Sequence, residues 1–123
     1  MIENKFEQLG LSNEVLKAIE DMGFSKPSQI QEEAIPVLLT GVDVIGQAQT
    51  GTGKTLAFGS VLLSNINPSN DQLPQAIILS PTRELAMQIH EEMNRIGKYN
   101  GSKITCVYGG SDIEKQIRTI KKG

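Results

Sequence analysis

Eight consecutive residues, Ala48, Gln49, Thr50, Gly51, Thr52, Gly53, Lys54 and Thr55, constrain this chain more than any other stretch. Val42, Asp43, Val44, Ile45 and Gly46 before them read as a short strand, and Leu56, Ala57, Phe58, Val61 and Leu62 after them as the apolar side of a helix. Strand, glycine loop and helix is the order that a phosphate-binding loop needs. Glycines let successive backbone N–H groups converge on phosphate oxygens, and the helix adds its positive end to the same anion. In that arrangement Lys54 reaches the β- and γ-phosphates and Thr55 ligates Mg²⁺, which makes ATP or GTP the first ligand to consider. The general pattern opens with glycine, and here Ala48 stands in that place.

The rest of the chain bounds the answer. At 123 residues it is at most one domain, short for a nucleotide-hydrolysing α/β unit. Twelve Lys and Arg against 14 Asp and Glu leave a net charge of −2, so contact with nucleic acid has to be local. Cys106 is the only cysteine, which excludes an intramolecular disulfide and a cysteine-rich zinc site and fits a reducing cytosol. It reads as a small buried hydrophobe. The first residues have no apolar signal core, and no apolar run approaches the ~20 residues of a membrane span, so a cytoplasmic protein is expected.

Ser12 suits the N-cap of a helix whose apolar face is Val15, Leu16, Ile19 and Met22, with Gly23 at its stop. A second helix should start at Ser28 and end at Gly41, bent by Pro36. After the phosphate loop and its helix, residues 65–74 read as a loop. A strand is expected over Ala76–Leu79, a long helix from about Arg83 to Tyr99, and a third strand over Lys103–Tyr108. The last helix carries Ser111 and Glu114 at capping-box spacing, followed by Ile113, Ile117 and Ile120 on one face. Strands alternating with helices predict an α/β fold with a mostly parallel sheet, although only three strands can be found.

Several other residues have two readings. Gly23 to Gln31, with Phe6, supplies an aromatic face and a side-chain amide, the two things adenine recognition needs; Ser28 to Gln31 equally has capping-box spacing, and Phe24 equally suits a core. Thr82 and Arg83 read as an ordinary helix start, whose exposed N–H groups and guanidinium fork also suit a phosphate. Gly109 and Gly110 suit a turn with positive φ. Lys115, Arg118, Lys121 and Lys122 form a solvated basic face, His90 sits on a helix with no metal partner nearby, and Met87 and Met93 are expected to fill core space.

Gly23 to Gln31, Ala48 to Thr55, Pro81 to Ala86 and Gly109 with Gly110 stand in the order and spacing of the DEAD-box RNA helicases, and the chain resembles their first RecA-like domain from its start. Alanine at position 48 is usual in that family. The resemblance implies a partial RecA-like three-layer sandwich, with a Q-motif region over 1–41 and a phosphate-loop core over 42–123. It implies that Gln31 reads adenine, that Phe24 or Phe6 supplies an apolar face to it, and that Lys26 lies beside the base. Thr50, Gly51, Thr52, Gly53, Lys54 and Thr55 would hold the phosphates of ATP, with Mg²⁺ on Thr55. Pro81, Thr82 and Arg83 resemble motif Ia, which implies contacts to the RNA backbone, and Gly109 and Gly110 resemble the doublet that lets an RNA strand approach closely.

Phosphoryl transfer to water also needs a second carboxylate for the metal, a group to position the water and cations on the developing charge. No apolar strand in this sequence ends in Asp-Glu. The resemblance puts the DEAD tetrapeptide, the Ser-Ala-Thr motif and the second RecA-like domain beyond Gly123, and puts later strands beside the phosphate-loop strand. An amino-terminal fragment is therefore expected, unable by itself to hydrolyse ATP or unwind RNA, and marginally stable or self-associating through unpaired sheet edges. The alternatives are a non-catalytic nucleotide-binding or interaction module acting on an RNA complex, and a different phosphate-loop enzyme such as a small-molecule kinase, against which the Gln31 segment argues.

Overall fold

The computed structural model describes residues 4–49, 51, 53–67 and 74–122. A 3-10 turn over Lys5–Leu9 precedes five helices: α1 (Asn13–Asp21), α2 (Gln29–Leu39), α3 (Lys54–Asn65), α4 (Arg83–Ile96) and α5 (Ile113–Lys121). The opening turn was not expected. Its signal is Asn4, whose side chain accepts from the Phe6 amide at 3.0 Å and so fixes the first bend.

α3 sets the arrangement. Leu56, Ala57, Gly59, Ser60, Val61 and Leu63 are all buried, so the helix has no solvent face along its middle. A helix apolar all round has to sit at the centre, and α2 and α4 pack on it from either side while α1 touches both α3 and α4. Phe6, Leu11, Val15, Ile19, Ile35, Met93 and Ile96 close the same core from the surrounding elements. Burying a side chain of this size contributes about 1.5–3 kcal/mol each. The one buried hydroxyl on α3, Ser60 Oγ, donates to the Ala57 carbonyl at 3.2 Å, which removes the cost of an unpaired polar group.

The helix boundaries follow local chemistry. Ser12 Oγ accepts from the Val15 amide at 3.4 Å, as its position suggests, and Ser64 Oγ accepts from the Ser12 amide at 3.1 Å, tying the start of α1 to α3. Beyond α1, Gly23 has φ 86, a left-handed turn that suits glycine. α4 stops at Ile96, short of the expected Tyr99, where the Gly97 amide donates to Met93 O at 2.8 Å. Asn100 then donates to Leu63 O at 2.9 Å and satisfies a carbonyl at the end of α3. Tyr99 donates to Asp21 on α1, and that bond holds the phenol above its ordinary pKa.

Two expectations change. Asp112, not Ser111, caps α5: its carboxylate accepts from Glu114 N at 3.1 Å and Lys115 N at 3.2 Å, and an ionised acceptor at the positive helix end outcompetes a hydroxyl. More important, Val42–Gly46, Ala76–Leu79 and Lys103–Tyr108 form no strand; among the described residues there is no sheet. A parallel strand exists only when neighbours take up its N–H and C=O groups, and backbone without such partners stays where water can reach it. The exposures agree: Ile45 is 100%, Leu79 91% and Ile77 80% exposed. Ile113, Ile117 and Ile120 are exposed as well, Cys106 is half-buried rather than buried, and of the two methionines on α4 Met93 is in the core while Met87, on the face turned away from α3, is exposed.

The packing of α3 on α4 depends on Gly59, where an added Cβ would lie 2.5 Å from Met93 Sδ and 3.3 Å from Ile96 Cδ1. Gly59→Val should therefore force α3 from α4 and lower the unfolding free energy by about 1–3 kcal/mol, read from a urea melt. An unchanged midpoint would show that this approach does not limit packing.

Candidate functional site

The N-terminus of the buried helix is where the phosphate loop delivers the chain. Gly51 and Gly53 have φ 83 and 86, conformations that a side chain strongly disfavours. Thr50 and Thr52 lie outside the described residues. Gly53 is the N-cap of α3 and brings no side-chain cap of its own to the first-turn amides. Lys54, the first helical residue, is exposed, and Thr55 beside it is half-buried. Positive φ, a helix N-terminus, a cation and a hydroxyl make a cradle suited to a phosphate and its metal ion.

Gln31 joins this loop to α2. It is buried; its Oε1 accepts from the Ser28 amide at 2.8 Å, completing the capping box, and its Nε2 donates to the Gly53 carbonyl at 3.1 Å. The capping-box reading of Gln31 holds, and the other end of the same amide lies on the glycine loop. The contact is tight: a Cβ added to Gly53 would collide with Gln31 Nε2. Around it, Phe24 is 45% exposed and Lys26 is exposed, whereas Phe6 is wholly buried. The Lys5 amide donates to Ser25 O at 2.9 Å and Asn4 to Phe24 O at 3.4 Å, so the opening turn buttresses the Phe24 loop from behind. Of the two aromatics, Phe24 is the one open to a ligand.

A second cluster lies at the start of α4. Thr82 Oγ1 accepts from Leu85 N at 3.1 Å, the cap expected of it, while Pro81, Thr82 and Arg83 are exposed. Arg83 does not stand alone: its Cζ lies 4.3 Å from the centroid of the Tyr108 ring. Tyr108 precedes Gly109 and Gly110, both exposed, where an added Cβ would meet nothing within 4 Å. Gly110 has φ 80, so a glycine-dependent turn and an open backbone surface coexist there. Sequence reasoning brought out neither Tyr108 nor Gln116, whose amide holds the Tyr108 main chain at 3.0 and 3.2 Å. The only signal was an aromatic beside the glycine doublet and an amide one helix turn past Asp112.

Among known proteins, residues 28–123 match the model of the DEAD/DEAH box helicase family. The chain belongs to that family. It is 52% identical over 96% of its length to the ATP-dependent RNA helicase CshA of Limosilactobacillus reuteri, covering 24% of that protein. With the DEAD-box ATP-dependent RNA helicase RhpA of Helicobacter pylori it shares 50% identity over 95% of its length, covering 23% of it. Among solved structures, a DEAD box protein from Methanococcus jannaschii superposes with a TM-score of 0.83 at 40% identity, over 95% of this chain and 32% of that one. Dbp5 of S. cerevisiae, bound to RNA and ADP BeF3, gives 0.75 at 48% identity, over 80% and 25%. Those structures are RecA-like DEAD-box helicase domains, and this chain, whose described residues share their helices but form no sheet, spans about a quarter of the length of its curated relatives.

In this member of the family the Gln31 contact should be felt in stability. Gln31→Ala leaves the Gly53 carbonyl and Ser28 amide without their partner and should cost about 1–3 kcal/mol; Gly53→Ala, with both collision and strain, should cost at least as much. Urea melts of the two variants check this, and a wild-type midpoint for Gln31→Ala would mean the amide is not held between α2 and the loop.

Proposed function

We propose that this chain is the ATP-binding and RNA-contacting portion of an ATP-dependent RNA helicase. The observation that carries the reading is the Gln31 to Gly53 hydrogen bond, which sets an amide suited to adenine against a loop suited to phosphate. Gln31 reads the adenine edge, Phe24 covers the base with Phe6 behind it in the core, and Lys26 lies beside it. The amides of Thr50, Gly51, Thr52 and Gly53 cradle the phosphates, Lys54 reaches the β- and γ-oxygens, and Thr55 ligates Mg²⁺. Mg²⁺, when bound, would offset the negative charge of the phosphates.

Pro81, Thr82, Arg83, Gly109 and Gly110 contact the RNA backbone without reading sequence. Residues 1–41 form the Q-motif region and 42–123 the phosphate-loop core. Val42–Gly46, Ala76–Leu79 and Lys103–Tyr108 become strands of a mostly parallel sheet once further strands pair with them, completing a three-layer sandwich. This sequence holds no Asp-Glu at the end of an apolar segment, so by itself it binds ATP without hydrolysing it and does not unwind RNA. The protein works in the cytoplasm.

Ligand that binds only the folded chain raises its melting midpoint; Mg-ATP at about a hundred times its Kd adds about 2.7 kcal/mol. A circular dichroism melt should therefore shift upward with Mg-ATP, less with GTP, and not at all in Lys54→Ala. Equal shifts with GTP would sink adenine reading by Gln31, and an ATP shift retained in Lys54→Ala would sink the phosphate cradle. The exposed apolar segments predict a second result: sedimentation should show association that grows with protein concentration, and a strictly monomeric chain would contradict it.

A further inference from the structure

Resting on the RNA reading above, we propose that Tyr108 and Gln116 are positioning residues that brace the two RNA-contacting segments into one surface. Gln116 on α5 accepts from the Tyr108 N–H through Oε1 at 3.0 Å and donates to the Tyr108 C=O through Nε2 at 3.2 Å. Its Nε2 also lies 3.5 Å from the Asp112 carbonyl, within its own helix. A single amide therefore pairs both main-chain groups of Tyr108, as a neighbouring strand would, and fixes the peptide that leads into Gly109.

The Tyr108 ring then acts on the other segment. With Arg83 Cζ over the ring at 4.3 Å from its centroid, the guanidinium is held in cation–π contact, which keeps its charge available for a phosphate. An exposed arginine otherwise loses side-chain freedom when it binds; one held over a ring has part of that freedom removed beforehand. The chain of contacts runs from Gln116 to the Tyr108 backbone, from the ring to Arg83, and so from the glycine doublet to the start of α4. Neither Tyr108 nor Gln116 needs to touch RNA for this to work.

The test is fluorescence anisotropy of a short labelled oligouridine with the 123-residue chain, titrated at several KCl concentrations, with circular dichroism of each variant. Arg83→Ala should weaken binding and lower the magnitude of the salt slope by about 0.7, one single-strand phosphate contact. Tyr108→Leu should weaken binding about two- to fivefold with the slope unchanged, since the charge remains. Tyr108→Phe should restore what Tyr108→Leu loses, and Tyr108→Leu should add nothing in the Arg83→Ala background. Gln116→Met, which adds no charge, should weaken binding in both backgrounds because it releases Gly109.

If the unaltered chain binds no oligouridine, or Arg83→Ala changes nothing, the RNA reading fails and the brace with it. If Arg83→Ala weakens binding while Tyr108→Leu does not, the RNA reading stands and the brace is overturned. Equal losses in Tyr108→Leu and Tyr108→Phe, or an undiminished Tyr108→Leu loss without Arg83, overturn it too. Should Gln116→Met fail to fold, the Tyr108 variants decide.

Discussion

Everything in this structure is arranged around a helix that cannot face water. α3 buries residues on all sides along its middle, and it opens to solvent at its ends, with Lys54 exposed in the first turn and Asn65 in the last. Burial of the body and exposure of the N-terminus are one constraint seen at two ends. The flanking helices hold the axis in place, so the first-turn amides of α3 sit on a rigid support.

Side-chain amides then do what a sheet would do elsewhere. Gln31 links α2 to Gly53, Asn100 takes the Leu63 carbonyl, and Gln116 pairs the Tyr108 main chain. Glutamine and asparagine donate and accept from one planar group, so a single residue can satisfy a peptide's two demands. The Gln31 and Asn100 bonds join segments distant in sequence, the Gln116 bonds span eight residues, and two of the three links lie at the candidate site. The His90 ring adds a fourth link, 2.9 Å from the Ile104 carbonyl, between α4 and the segment that leads to the glycine doublet.

Helices were legible because their causes are local. Ser12, Ser28 and Thr82 announce starts, Gly23 a stop, and the apolar spacing of Val15 and Ile19 a buried face. Asp112 beating Ser111 is the same kind of chemistry decided between neighbours, which spacing alone does not rank. Strands are different. The apolar runs at 42–46, 76–79 and 103–108 have the composition of a buried sheet, yet a strand is a relation between segments, and these do not pair among the described residues. Of the site, the phosphate loop and Gln31 stood out in sequence; the contact of Arg83 with Tyr108 did not, because nothing local joins them.

By itself the sequence determined the helix set, the glycine loop that leads into Lys54 and Thr55, and membership of the helicase family, since these depend on residues adjacent or one turn apart. Only the tertiary structure decided that Phe24 and not Phe6 is open, that Gln31 is held by Gly53, and that Arg83 lies against Tyr108. Those outcomes depend on which surfaces the core consumes, and burial is settled by the whole chain at once.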